Sequence, residues 1–210
     1  IQNRTLWTIL VHKSCGPLSA DLKSAGYFMS VVQPIKGKAD ELILRFLEHC
    51  HRRQFPAKST IIRQGDPSHD LFYIVRGSVT VMLEDEEGRE LVLAYLNAGD
   101  FFGEIGLFNE HVNRSALVRA KNACEIAQIS YERLKSMSTL FPDLLFAISS
   151  QLATRLRKMN RKIGDLAFMD VSGRVARSLL DLCKEPDAMT HPDGMQIRVT
   201  RQELGRIVGC

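Results

Sequence analysis

The hydrophobic period of this chain changes at Pro142, and that change limits the folds open to it. From Ser59 to Ser130 the apolar residues come in short alternating or β-branched runs, "STIIRQGDPS", "LFYIVRGSVTVMLEDEEGRELVLAYLNAGDFFGE", "RSALVRA" and "CEIAQIS", cut by turn residues. A period of two marks strands, and short strands at this spacing suit a small antiparallel barrel or roll. Glu86-Glu87-Gly88, between "SVTVML" and "ELVLAYL", reads as a hairpin tip, and Asn97-Ala98-Gly99-Asp100 as a second turn. A roll of this size can hold one small ligand in its interior.

After Pro142 the spacing is helical. Leu152, Leu156, Met159, Ile163 and Leu166 recur at alternating steps of four and three, the spacing of a coiled-coil seam. Packing of such a helix on its own domain is the plain reading. Its length, about 142–167, and the charges Arg155, Arg157, Lys158, Arg161 and Lys162 beside a narrow seam favour pairing with a second copy of the chain. A further helix follows Asp170, a good N-cap, and carries Val175, Leu179, Leu180 and Leu182. The loop 184–194 holds two Pro-Asp pairs, "MQIRVT" reads as a short strand, and Thr200-Arg201-Gln202-Glu203 is a capping box opening "LGRIVG". A short helix followed by Gly is the form of the first half of a helix-turn-helix.

Composition narrows the classes without choosing among them. With 210 residues, 45% apolar and 25% charged, the chain can bury a sizeable core. The formal charge of +4 permits a polyanionic partner without requiring one. Five cysteines, odd in number and with no CxxC pair, signal neither a disulfide framework nor a zinc knuckle, and fit a reducing, cytoplasmic setting. The apolar run from Leu6 to Val11 is too short to span a bilayer, so no membrane role is expected. Residues 1–28 show no clear period and are left unassigned, with Met29 read as the biological start; the end at Cys210, one turn into a capped helix, reads as a truncation.

The stretch "GEIGLFNEHVNRSALVRA", 103–120, carries the chemistry. It heads toward a core yet holds Glu104 between two glycines and Arg114 beside Ser115, and a charge taken out of water costs several kcal/mol unless paired. Arg114, Ser115 and main-chain amides at the Gly103–Gly106 turn would suit a phosphate; the Glu104 carboxylate is an acceptor and would suit a ribose hydroxyl. On spacing alone, an ion pair between Arg114 and Glu104 explains the same residues equally well.

The runs "GDFFGEIGLF", "NRSALVRA", "KSTIIRQGD" and "LFYIVRGSVTV", with "LAFMDVSGRVARSLLDLCKEPDAMTHPDGMQIRVTRQELGRIVGC", resemble the catabolite-activator family of bacterial cyclic-AMP-responsive transcription regulators over about 41–210. The resemblance implies an α+β fold: an antiparallel β-roll that binds a cyclic nucleotide (29–141), a long dimerisation helix and hinge (142–169), and a partial winged helix-turn-helix (170–210). It implies cyclic AMP as allosteric ligand, with Gly103 and Glu104 on the ribose side, Arg114 and Ser115 on the cyclic phosphate, and Arg155 near the site from the dimer helix. Where the family has Thr then Ser for the adenine amino group, this chain has Met159 and Asn160, so Asn160 is the candidate base contact and ligand choice stays open. A related branch responds to cyclic di-GMP.

On the DNA side the resemblance assigns Thr200, Arg201 and Gln202 to the sugar-phosphate backbone, with the base-reading helix lying beyond Cys210. The hinge falls around Leu166–Asp170. His49-Cys50-His51-Arg52-Arg53 and the loop around Thr190 match surfaces that contact RNA polymerase; a metal site and a solvated basic face are the other readings of the first segment. A phosphate-binding enzyme using Glu104 as general acid is the competing function class, but neither a nucleophile nor a metal set accompanies it, so no catalytic or metal residues are assigned.

Overall fold

The computed structural model of the chain describes residues 7–12, 36–109, 113–137, 139–192 and 194–209, with 7–12 and 36–40 described by their backbone alone. Met29 lies outside the described residues. The described residues divide into two units, 37–168 and 169–208, the second also taking in residues 7–12.

In chain order the elements are β1 (Trp7–His12), α1 (Lys36–Leu47), β2 (His51–Phe55), β3 (Thr60–Ile62), β4 (Asp70–Arg76), β5 (Ser78–Glu84), β6 (Glu90–Asn97), β7 (Phe101–Phe102), α2 (Ile105–Phe108), β8 (Leu117–Ala120), β9 (Cys124–Ser130), α3 (Tyr131–Ser136), α4 (Pro142–Phe168), α5 (Val171–Leu182), β10 (Met189–His191), β11 (Gly194–Val199) and α6 (Arg201–Val208).

The larger unit is the expected roll: two four-stranded antiparallel sheets, ordered β2-β9-β4-β7 and β3-β8-β5-β6. Within the first sheet, β4 is apolar on both faces, which is why "LFYIV" reads as a continuous run and not an alternation. Phe72, Ile74, Phe102 and Ile126 fill the space between the sheets, with Ile62, Val79 and Val118 from the other side. Their neighbours Leu71, Phe101, Ala127 and Ile129 point the other way, onto Phe46 of α1, Leu134 of α3 and Leu144 and Ile148 of α4. The β5–β6 hairpin closes at Glu84↔Glu90. Its tip is held by the Asp85 carboxylate, which accepts from the Glu87 and Arg89 amides at 3.1 and 2.8 Å.

The helix α4 belongs to the same unit as the roll. Its first half packs at home through Leu144 and Ile148, with Leu152 partly buried against the same core. Further along, Leu156, Ile163 and Leu166 are 62%, 60% and 45% exposed. The seam therefore starts on the roll and continues bare.

In the smaller unit the Asp170 carboxylate accepts from the Gly173 amide at 2.8 Å and caps α5. The Thr200 hydroxyl accepts from the Glu203 amide at 3.1 Å and opens α6. The strand β11 pairs with β10 on one edge and with β1 on the other, from Trp7↔Val199 to His12↔Gly194. The segment 1–28, left unassigned from sequence, thus contains a strand; "WTILVH" gives no alternation by which to read it.

Candidate functional site

The glycines of "GEIG" are required by close approach. Gly103 has φ +75°, and a Cβ there would lie 2.7 Å from the Arg114 guanidinium. A Cβ on Gly106 would lie 2.3 Å from the Ser68 hydroxyl and 2.9 Å from that of Tyr131. Only glycine lets the turn pass this close to the side chains beneath it.

The main chain of Arg114 is pinned at both ends, its amide donating to Asp66 O and its carbonyl accepting from the Gly65 amide, each at 2.8 Å. From that base the side chain turns inward and is 9% exposed. Its Nη1 donates to Gly103 O and to the Tyr131 hydroxyl, both at 3.1 Å, and Nη2 donates to Asp70 O at 2.8 Å. The guanidinium also lies over the Phe72 ring, 5.4 Å from its centroid, a favourable cation–π contact. The Tyr131 hydroxyl is a hub: it receives Arg114, donates to Gly103 O, and sits 2.8 Å from the Ser68 hydroxyl. Among the described residues, the hydrogen-bond partners of this buried cation are all neutral oxygens. Carbonyl dipoles orient a charge without neutralising it, so the site keeps a fixed positive centre suited to an anion.

Glu104 is equally buried, at 6% exposed, but is neutralised from outside the sheets. Arg155, on α4, donates to its Oε1 at 3.2 Å. The same guanidinium donates to Phe101 O and to Gln151 Oε1, and lies 3.9 Å from the Asp100 carboxylate. Gln151 in turn accepts from the Phe101 amide and donates to Gly99 O, both at 2.9 Å. The sequence left open an Arg114–Glu104 pair; the carboxylate instead belongs to Arg155.

The structure therefore brings Gly103, Glu104, Arg114 and Arg155 around one turn. Ser115 and Asn160 are exposed, and neither enters this network among the described residues. Sequence reasoning missed Tyr131, Gln151, Asp100 and the carbonyl of Asp70. The spacing of Gln151 and Arg155, one helical turn apart, was the signal available for one of them.

Elsewhere, Arg201 and Gln202 are exposed at the start of α6, behind the Thr200 cap. His49, His51 and Arg53 line, with Arg133, an open cavity of about 400 Å³ at the edge of the first sheet. Among the described residues no helix is long and apolar enough to cross a membrane, and no cluster of His, Cys, Asp and Glu could hold a metal ion.

Comparison with known proteins gives this geometry its setting. Residues 52–139 match the cyclic nucleotide-binding domain family. The chain is 60% identical over 169 residues to the cAMP-activated global transcriptional regulator Vfr of Pseudomonas aeruginosa, covering 79% of each. It is 56% identical over 175 residues to the cAMP-activated global transcriptional regulator CRP of Salmonella typhimurium, covering 83% of each. Among solved structures, the c-di-GMP responsive global regulator CLP of Xanthomonas campestris superposes with a TM-score of 0.77 at 48% identity, over 81% of this chain and 85% of that one. On these matches, which cover about four fifths of the chain, it belongs to the CRP/FNR family of transcription regulators.

Proposed function

We propose that the chain is a cyclic-AMP-responsive, DNA-binding transcription regulator that works as a homodimer in the cytoplasm. The observation that carries the ligand is the Arg114 guanidinium, buried among neutral oxygens and lacking a carboxylate among the described residues. A cyclic nucleotide brings one phosphate charge to that centre, with the Ser115 hydroxyl on its exposed side and Glu104 to accept from the ribose hydroxyl. The names of Vfr and CRP, both cAMP-activated, support this ligand.

The exposed stripe of Leu156, Ile163 and Leu166 supports pairing through α4, since burying three such side chains against a second copy is worth several kcal/mol, at about 1.5–3 kcal/mol each. Asn160, on the same helix, is the candidate base contact. Thr200, Arg201 and Gln202 are assigned to the DNA backbone, where a helix N-terminus and an arginine suit a phosphate. The His49–Arg53 segment and the loop around Thr190 are assigned to RNA polymerase.

CLP, a c-di-GMP responsive regulator similar over most of the chain, supplies a second reading, and Met159 and Asn160 are where the base would be judged. Calorimetric titration with cyclic AMP, cyclic GMP and cyclic di-GMP separates them. Cyclic AMP is expected to bind tightest; preference for cyclic di-GMP would transfer the ligand assignment to the second reading, and turnover of any of the three would favour an enzyme.

A further inference from the structure

Three polar side chains of α4 each donate to a main-chain carbonyl on one strip of the roll. Gln151 holds Gly99 O, Arg155 holds Phe101 O, and Lys162 holds Val92 O. At about 100° per residue these positions fall within a sector of about 40° on the helix. The apolar seam of Leu152, Leu156, Met159, Ile163 and Leu166 runs beside it, centred about 80° round. One helix thus presents a polar row to β6, the β6–β7 turn and the start of β7, and an adjacent apolar row that is largely bare.

Gln151 has the most consequential place in the polar row. Its amide clamps the turn from both sides, accepting from the Phe101 amide and donating to Gly99 O, and its oxygen also receives Arg155. The chain runs from Phe101 through Phe102 directly into Gly103 and Glu104. We propose that Gln151 is a positioning residue for the nucleotide site, setting the Gly103–Glu104 turn and the aim of Arg155, so that the seating of α4 on its seam is felt at the ligand. A helix rotation of about 20° moves side-chain tips by about 2 Å, more than a hydrogen bond tolerates. Loosening or tightening the seam therefore changes how well the turn is held. The inference rests on the nucleotide reading of the site.

The test compares Gln151→Leu, which removes both clamps, with Gln151→Glu, which keeps an acceptor for the Phe101 amide. Cyclic AMP affinity, nucleotide-dependent change in self-association by sedimentation, and hydrogen exchange at 99–104 without ligand are measured on the full chain. Gln151→Leu should weaken binding about tenfold, the size expected for two lost hydrogen bonds, blunt the effect of nucleotide on self-association, and speed exchange at the turn. Gln151→Glu should recover part of the slow exchange. Unchanged affinity in Gln151→Leu, with only a lowered melting temperature, would reduce the residue to an ordinary structural contact. If the wild-type chain binds no cyclic nucleotide, the nucleotide reading falls; the exchange data alone then decide whether Gln151 holds the turn, and unchanged exchange in Gln151→Leu overturns that too.

Discussion

The two ends of the 103–104 turn are held in different ways. Behind Gly103, Arg114 is fixed entirely within the roll, by Gly103 O, Asp70 O and the Tyr131 hydroxyl. At Glu104 the partner is Arg155, which arrives from α4 together with Gln151. The first end leaves a buried charge unneutralised among the described residues; the second is neutralised by a helix whose seam is partly bare. The difference teaches where rigidity and adjustability sit: the Arg114 end, proposed to take the phosphate, is a property of the sheets, and the Glu104 end, proposed to take the ribose, depends on the placement of α4. A ligand bridging both ends ties one to the other, which is the requirement for coupling two sites through a change of state.

The contrast is broken hardest at Gly103, which both ends share. Gly103→Ala puts a Cβ 2.7 Å from the Arg114 guanidinium at a φ of +75°, so it should cut nucleotide affinity on the order of a hundredfold and cost about 2 kcal/mol of stability, read by calorimetry and denaturant melts. Arg155→Ala leaves Glu104 buried without its cation. It should weaken nucleotide binding about tenfold and cost about 2 kcal/mol of stability, less than a fully buried pair because Arg155 is partly exposed. If it weakened binding as much as changes at Gly103, the separation of the two ends would fail.

Tyr131→Phe removes one hydroxyl from the sheet-held end and should cost about 1 kcal/mol, with affinity falling a few-fold. The smallest effect concerns Cys50, packed against the core that includes Tyr131 and Leu71. Burial pushes its thiol from 9.0 up to about 12. A proton kept in the folded state and lost in the unfolded one stabilises less as pH rises, so the Cys50 contribution is complete below pH 9 and declines between pH 9 and 12. Cys50→Ala should flatten that alkaline decline in urea midpoints; an unchanged decline would place Cys50 in a wetter environment than its packing implies.

Much of this was legible in the sequence because it was written in side chains. The hairpin tip and the Asp170 and Thr200 caps have residue types suited to those turns and helix ends, and Gly103, Glu104, Arg114 and Arg155, picked out by type, gather around one turn. What was not legible lies in the main chain. Arg114 is oriented by the carbonyls of Gly103 and Asp70, and Gln151 by the Gly99 carbonyl and Phe101 amide; any residue carries such groups, and only the fold decides which are near. Strand β1 was hidden for a different reason: "WTILVH" is apolar without alternation, and its place is set by the edge of β11.

The central claim is that a buried, sheet-held guanidinium receives the cyclic phosphate. It is tested most directly by titrating cyclic AMP into Arg114→Ala beside wild type, with circular dichroism to confirm that the variant is folded. Loss of the binding heat in a folded variant is the predicted result; saturable heat with the wild-type dissociation constant would contradict it.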